Sequence, residues 1–448
     1  MMACPVKSSA ILKPDRIFIW QSTISITFAE FEQRVMIASE KLLSDGIQPG
    51  DRLLIPVEKN GKSLEKLFAC IRIGAVAIPI DNHLPEQRIS VLKKSFSTKV
   101  LNQASTDNRN SGGASPRCLD NDAAVLGIFT SGSSGTPKLV FHSFPSLLNN
   151  ARASNRRIPL VYPDKTLLSL PLYHIGGLAQ VFRALLSQTT LVVDGVVEDP
   201  YVLNQQAITH TSMVATQLQR LLACNAALPN LKAVLLGGGP CPKALIDLAR
   251  GKNYPIWKTY GMTENASQLI TESPSGEQEV LEGSEITLAE SGELLVKGGS
   301  LFLGYWCDGK LDTARDSGGW FHSGDMAKYI GGKLIIDGRL DNQFISGGKN
   351  IQPEEVEQNL ITLDIIETAI VVPVAHSEFG FTPFAFVGLK HSAELDDKAK
   401  ESIIDELKGV LPGFLVPRYY AELPSFEGLK PKRQDLKVLA KNLQEKRI

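Results

Sequence analysis

Three short stretches of this chain carry the residue types that phosphate chemistry needs. The first, Thr130-Ser-Gly-Ser-Ser-Gly-Thr-Pro-Lys138, gathers hydroxyls, glycines and one ammonium. Gly132 and Gly135 let the backbone approach an anion and aim successive N–H groups at it. Thr130, Ser131, Ser133, Ser134 and Thr136 add hydroxyl donors, and Lys138 adds positive charge. Such a loop suits a polyphosphate. It is not a Walker A loop, because the G-x-x-x-x-G-K-[ST] spacing is absent. A flexible Gly/Ser linker is the alternative, yet linkers rarely follow a buried strand such as the apolar Val125–Phe129. The second stretch is Tyr260-Gly-Met-Thr-Glu264, where a carboxylate follows a turn and can hold Mg²⁺ against phosphates. A surface Glu capping the next helix is the plainer reading. The third is Gly428-Leu-Lys-Pro-Lys-Arg433, where Lys430 or Lys432 can meet the charge that builds on a phosphate in a transition state. An exposed lysine in a basic loop is the plainer reading there.

Other residues could complete a site around these. Asp325, in His322-Ser-Gly-Asp, can accept from both hydroxyls of a ribose, or is a turn Asp. His174, beside Gly176 and Gly177, can gate an acyl pocket, or is a satisfied structural histidine. The turn after Leu235-Leu236 exposes the bare backbone of Gly237, Gly238 and Gly239 to something flat, or is simply tight.

The elements that must hold these residues follow an alternating rhythm up to about residue 270. Thr27-Phe-Ala-Glu30 predicts a capping box that opens a helix ending at Gly46. Strand Leu53–Val57, helix Ser63–Ile73 and strand Ala75–Ile80 follow. Further on come helix Leu178–Leu186, strand Thr190–Val193, helix Leu218–Cys224 and strand Leu231–Leu236. Apolar strands alternating with helices imply parallel sheets covered on both faces. Residues 290–340 read as a β-rich subdomain with a hairpin at Gly331-Gly332. Beyond Asp341 the expectation is a small α+β domain, with helices at Pro353–Leu360, Asp397–Leu411 and from about Arg433. The fold class is therefore α/β, with a large N-terminal domain over 1–338 and a small mobile C-terminal domain over 342–448. Thr106–Ser115 is polar and reads as a surface loop.

Bulk properties exclude several classes. With 47 Lys+Arg against 48 Asp+Glu, the chain has no net basic field for nucleic acid or an anionic membrane. No apolar run approaches a membrane span, and the N-terminus lacks the long apolar core of a secretory signal. The six cysteines are scattered, without C-x-x-C pairs or His at zinc spacing, which reads as reduced thiols in a cytoplasm. A small-molecule partner is expected, and a homo-oligomer stays open.

The chain resembles the acyl-adenylate-forming superfamily of acyl-CoA synthetases, nonribosomal adenylation domains and firefly-type luciferases. TSGSSGTPK matches its phosphate-loop motif, with Ser134 where Thr is commoner. IGAVAIPIDNHLP at 73–85, LPLYHIGG at 170–177, YGMTE, GELLVKG with GYW at 292–306, HSGD, GRLDNQFISGGKNIQPEEVE at 338–357 and GLKPKR then follow in order. The resemblance implies ATP, Mg²⁺ and CoA as partners. It implies Mg²⁺ on Glu264, Thr263 near the α-phosphate, Tyr260 by the adenine, and the ribose on Asp325 and Arg339. The family pattern Gly-x-Lys-x-x-Arg selects Lys430 for adenylation. Family members pivot at the residue matching Asp341, exchanging Lys430 for the Ser346-Gly347-Gly348 loop between half-reactions. Lys349 departs from the pattern, standing where Glu is common.

Within the superfamily, SLPLYHIGG, TQLQRLL at 216–222, LKAVLLGGG at 231–239 and VPVAHSEFG at 372–380 resemble the o-succinylbenzoate–CoA ligases of menaquinone biosynthesis. That substrate keeps a second carboxylate. Gly176, Gln180 and Arg183 share one helical face, and Arg183 suits a carboxylate through its planar donors. An exposed helix arginine is the alternative. A ligase for another acid, or an enzyme loading a carrier protein, are the competing functions; a P-loop kinase would release ADP instead.

Overall fold

Runs such as Leu53-Leu54-Ile55 have no polar face, so they must be covered on both sides, and all three are fully buried. The computed structural model describes residues 4–22, 24–101, 121–130, 138–239, 241–307, 309–390, 394–426 and 432–445. The chain divides into two compact units. The first runs to Glu285 and resumes over Lys297–Gly319; the second takes Ile286–Val296 and the chain from Trp320 onward.

Two sheets form the first unit. One runs Gln278–Val280, Ser267–Glu272, Ile256–Met262, Ala233–Leu236, His210–Met213, Lys165–Leu167, Thr190–Val192, Ile17–Gln21 and Ile24–Thr27 in spatial order. Its centre is parallel and its ends are antiparallel. The other runs Lys310–Asp312, Gly304–Cys307, Lys138–Ser143, Ala124–Thr130, Val76–Asp81, Arg52–Val57 and Lys99–Val100. Helices Phe28–Ser44, Gly61–Arg72, Phe144–Arg157 and Ile175–Ser187 share one apolar core with strands of both sheets.

The expected capping box is present. Thr27 Oγ1 accepts from the Glu30 amide at 3.2 Å, and Glu30 Oε2 accepts from the Thr27 amide at 2.8 Å. Phe28 and Phe31, in that first turn, begin a run of rings. Phe18 stacks on Phe28 at 4.8 Å, and edge contacts continue through Phe31, Phe68 and Phe182 to Phe144. Each such pair adds about 0.5–1.5 kcal/mol beyond its buried area. The run ends on the two helices that carry Ser154 and Arg183, and so fixes their spacing.

In the second unit, Phe321–Ile330 and Lys333–Arg339 pair as an antiparallel hairpin with Gly331-Gly332 at its tip, as expected. Lys349–Ile351, Phe344–Ser346, Gly380–Leu389 and Ile366–His376 form another sheet, with Tyr419–Glu422 on the third of these strands. Helices Pro353–Leu360 and Asp397–Lys408 share one apolar cluster with this sheet, and Arg433–Glu445 shares another. Asp341 lies inside this unit, in a tight 3₁₀ turn over Leu340–Asn342.

Candidate active site

Thr130 ends one strand and Lys138 opens the next, and the two residues are direct antiparallel partners. The phosphate-loop candidates Ser131, Gly132, Ser133, Ser134, Gly135 and Thr136 fall outside the described residues, as do Lys430 and the Thr106–Ser115 segment. The strand Lys138–Ser143 is new relative to the sequence reading. Its apolar residues are buried together with His142 and Ser143, which hides a period-two pattern.

Glu264 sits in a 3₁₀ turn, Thr263–Asn265, between the antiparallel strands Ile256–Met262 and Ser267–Glu272. No α-helix follows, so a helix-capping role for Glu264 falls away. The reversal is so tight that a Cβ on Gly261 would stand 1.6 Å from Ser267 O; only glycine fits there. Buried amides and one imidazole pin the turn. Asn150 Nδ2 donates to Asn265 O at 2.9 Å and Gln268 O at 2.7 Å. His142 Nε2 lies 2.7 Å from Thr263 O. Burial pushes the His142 pKa down to about 4, against the weaker upward pull of that carbonyl. The ring is therefore neutral at pH 7, and its Nε2–H donates to Thr263.

Tyr305 donates its hydroxyl to Glu264 Oε1 at 2.7 Å, and the Phe302 amide donates to Glu264 O at 2.7 Å. Lys138 Nζ stands 4.8 Å from the centre of the Tyr305 ring. The Glu264 carboxylate and the Lys138 ammonium, distant in sequence, thus meet around one phenol. Among the described residues no group of three His, Cys, Asp or Glu gathers as a metal cage. A partly exposed Glu264 fits Mg²⁺, which commonly takes one or two carboxylates and completes its shell with phosphate and water. Tyr260 lies on strand Ile256–Met262, opposite Ile270. Gly237, Gly238 and Gly239 follow strand Ala233–Leu236, which pairs with the Tyr260 strand.

His174 caps helix Ile175–Ser187 and its ring lies 4.7 Å from that of Tyr173. The helix starts hard against Pro171, since a Cβ on Gly177 would meet Pro171 O at 2.1 Å. Two turns on, Arg183 is buried, with only 9% of its surface exposed, which rules out the exposed-arginine reading. Its Nη1 donates to Gln268 Oε1 at 3.2 Å and Ser154 Oγ at 3.5 Å, its Nη2 to Ser212 Oγ at 3.1 Å, and its Nε to Ala179 O at 3.2 Å. All four acceptors are neutral. Burial without a carboxylate pushes the guanidinium pKa down to about 10. Arg183, Ser154, Ser212 and His210 line a small cavity whose remaining wall includes Ile158, Leu160 and Leu235. Gln180 Oε1, one turn before, accepts from Ser169 Oγ at 3.2 Å.

In the second unit Asp325 and Arg339 are cross-strand partners. Arg339 Nη1 lies 3.1 Å from Asp325 Oδ1 and Nε 3.2 Å from Asp341 Oδ1. Burial acts to lower the Arg339 pKa, but the two carboxylates outweigh it and hold the guanidinium firmly charged. Behind it, Gln352 Nε2 donates to Arg339 O at 3.1 Å and Asn342 Nδ2 to Glu354 Oε1 at 2.5 Å. Arg433 bonds Glu357 at 2.7 Å, Glu354 at 3.3 Å and Val371 O at 2.7 Å. The start of the last helix is thereby tied to helix Pro353–Leu360 and, through Glu354, to the Asp341 turn. Lys349, the departure from the family pattern, rests its ammonium 4.3 Å from the centre of the Phe414 ring.

The model of the AMP-binding enzyme family matches residues 6–109 and 93–306. This chain belongs to the AMP-binding enzyme family. A 2-succinylbenzoate–CoA ligase of Salmonella typhimurium is 32% identical over 408 residues, spanning 88% of this chain and 87% of that protein. The solved o-succinylbenzoate CoA synthetase (MenE) of Bacillus subtilis, in complex with the acyl-adenylate intermediate OSB-AMP, is 25% identical with a TM-score of 0.87. That likeness covers 97% of each chain. The same Bacillus enzyme in complex with ATP and magnesium ion is 26% identical with a TM-score of 0.82, covering 94% of this chain and 95% of that one. The α/β fold and AMP-forming ligase chemistry expected from the motifs agree with these relatives. Among the described residues no helix is long and apolar enough to cross a membrane.

Tyr305, His142, Gln268, Ser154 and Ser212 escaped the sequence reading. Tyr305 stood inside the quoted GYW, without a role. The signal for Ser212 was a strand, His210-Thr-Ser-Met213, that is polar yet pairs in parallel with the apolar strand Ala233–Leu236 and is wholly buried. Polar side chains in such a place must face partners.

Proposed function

We propose that this protein is a 2-succinylbenzoate–CoA ligase that forms AMP. One carboxylate of the acid attacks the α-phosphate of ATP, diphosphate leaves, and the thiol of CoA then displaces AMP from the acyl-adenylate. The observation that carries the choice of acid is Arg183: a buried guanidinium whose partners among the described residues are all neutral, beside a cavity of about one water's size. Four of its five N–H groups are engaged, and the fifth, with the uncompensated charge, suits a carboxylate. The spare carboxylate of the substrate is that anion. The likeness to 2-succinylbenzoate–CoA ligases supports the same reading.

The other roles follow from charge and position. Thr130, Lys138 and the loop between them hold the polyphosphate, and Lys138 offsets its charge. Glu264 holds Mg²⁺, which when bound neutralises phosphate oxygens. Thr263 lies by the α-phosphate and Tyr260 by the adenine. Gly237, Gly238 and Gly239 present backbone to the acyl group and adenine, and His174 gates the acyl pocket. Asp325 accepts from the ribose hydroxyls, with Arg339 as its second contact. Lys430 stabilises the charge that develops during adenylation. We place the pivot between half-reactions at Asp341, with domains over 1–338 and 342–448. A cytoplasmic setting suits Cys4, Cys70, Cys224, Cys241 and Cys307, all of them free thiols.

Diphosphate release from Mg-ATP, measured across a panel of acids with and without CoA, tests the proposal. Release with o-succinylbenzoate well above release with benzoate or a fatty acid is the expected result. ADP as product, or a preference for monocarboxylates, would overturn it.

A further inference from the structure

Tyr305 touches both charged groups at the head of the nucleotide site, yet none of the roles above uses it. Strand Gly304–Cys307 pairs with Lys138–Ser143 and sets Tyr305 opposite Val140, two residues beyond Lys138. The ring is held edge-on against Phe302, centre to centre 4.9 Å. Phe302 in turn donates its amide to Glu264 O at 2.7 Å. The segment from Phe302 to Tyr305 therefore grips Glu264 by backbone and by side chain.

Opposite charges left alone here would pair. Lys138 and Glu264 are each within reach of the phenol, one at 4.8 Å from its ring centre and the other at 2.7 Å from its oxygen. Among the described residues neither of them forms an ion pair. A direct pair would cancel the two charges that the nucleotide and its metal need. The phenol gives each a neutral partner instead: the ring face for the ammonium, the hydroxyl for the carboxylate.

We infer that Tyr305 is a positioning residue that keeps Lys138 and Glu264 apart and aimed, its hydroxyl setting the Mg²⁺ carboxylate and its ring setting the phosphate-loop lysine. This rests on the reading of Glu264 as the Mg²⁺ ligand and Lys138 as a phosphate contact. Two variants separate the two halves. Tyr305→Phe keeps the ring and removes the hydroxyl; Tyr305→Leu removes both.

Two readouts are taken: Mg²⁺-dependent binding of ATP in the absence of acid, by calorimetry, and the initial rate of diphosphate release, each titrated with Mg²⁺ at saturating ATP and with ATP at saturating Mg²⁺. For Tyr305→Phe the Mg²⁺ midpoint rises roughly tenfold, as for a lost hydrogen bond to a charged group, while KM for ATP at saturating Mg²⁺ stays near wild type. Excess Mg²⁺ restores its rate. Tyr305→Leu shows the same shift and also raises KM for ATP about threefold, the scale of one cation–π contact. In a Glu264→Gln background, Tyr305→Phe adds no further shift. A wild-type Mg²⁺ midpoint in Tyr305→Phe, a rate loss that excess Mg²⁺ does not restore, or additive effects with Glu264→Gln would each overturn the inference. Wild-type protein that releases no diphosphate with any acid would instead overturn the functional reading on which it rests.

Discussion

Arg183→Met should make the protein a poorer enzyme without making it a weaker fold. The guanidinium lies among neutral acceptors, and burial has moved its pKa from the usual 12.5 to about 10. At about 1.36 kcal/mol for each pKa unit, keeping it charged at neutral pH costs roughly 3 kcal/mol of stability. Because the folded pKa is the lower one, that cost is present in full well below pH 10 and eases only above it. Removing the charge relieves the cost, and the lost hydrogen bonds to Gln268, Ser154 and Ser212 offset part of the relief. Replacing a buried charge with an apolar group of similar volume is commonly neutral or stabilising. The melting temperature should hold or rise. Activity should go the other way. A hydrogen bond to a charged group is worth about 1.5–3 kcal/mol, so kcat/KM for o-succinylbenzoate should fall roughly 10- to 150-fold. A monocarboxylate of similar shape should lose less than about threefold, since it offers Arg183 no partner. Diphosphate release with both acids and a thermal melt of both proteins complete the test. Equal losses for the two acids, or a large drop in melting temperature, would refute the assignment of Arg183 to the spare carboxylate.

Other tests reach different parts of the molecule. Lys430→Ala should abolish acyl-adenylate formation, by about 3–4 kcal/mol in rate, and spare thiolysis of a supplied acyl-adenylate; equal loss in both half-reactions would show the lysine is misplaced. Gly261→Ala should collapse the Glu264 turn, because its Cβ would overlap Ser267 O at 1.6 Å; soluble, fully active protein would contradict that geometry. His142 gives a pH signature. Its folded pKa lies below the unfolded 6.5, so the unfolded chain binds the extra proton and stability should fall between about pH 6.5 and pH 4. In His142→Gln that slope should shrink by up to about 3 kcal/mol over the window, read by urea unfolding at each pH. An unchanged slope would mean that His142 is not buried as a neutral ring.

Much of this architecture was readable from residue types alone, for a physical reason. Helix Pro353–Leu360 begins at a proline, which sets its own backbone angle, and the prediction of that helix matches to the residue. The Thr27 capping box is likewise a local contract between residues three apart. Strand Lys138–Ser143 was missed because it is buried on both faces between Ala124–Thr130 and Gly304–Cys307, the second of which is remote in sequence, and it carries no alternating pattern of its own. Site residues divide the same way. Glu264, Asp325 and Arg183 announce themselves as charges in distinctive settings. His142 and Gln268 act through hydrogen bonds to residues more than a hundred positions away, His142 to Thr263 and Gln268 to Ser154, and nothing in the local pattern points there.

Gln268 joins Arg183 to the Glu264 turn. Its side-chain oxygen accepts from Arg183 and Ser154, while its backbone carbonyl accepts from Asn150 and Asn265 and so braces the Glu264 turn. A descendant that trades the arginine leaves the Gln268 side-chain oxygen with Ser154 as its one remaining donor among the described residues. Exchanging Gln268 as well keeps its backbone carbonyl under the turn but takes away the side-chain partner of Ser154 and Thr271. Specificity in this lineage should therefore change through paired substitutions at 183 and 268, and single-site libraries at either position alone should return mostly impaired enzymes.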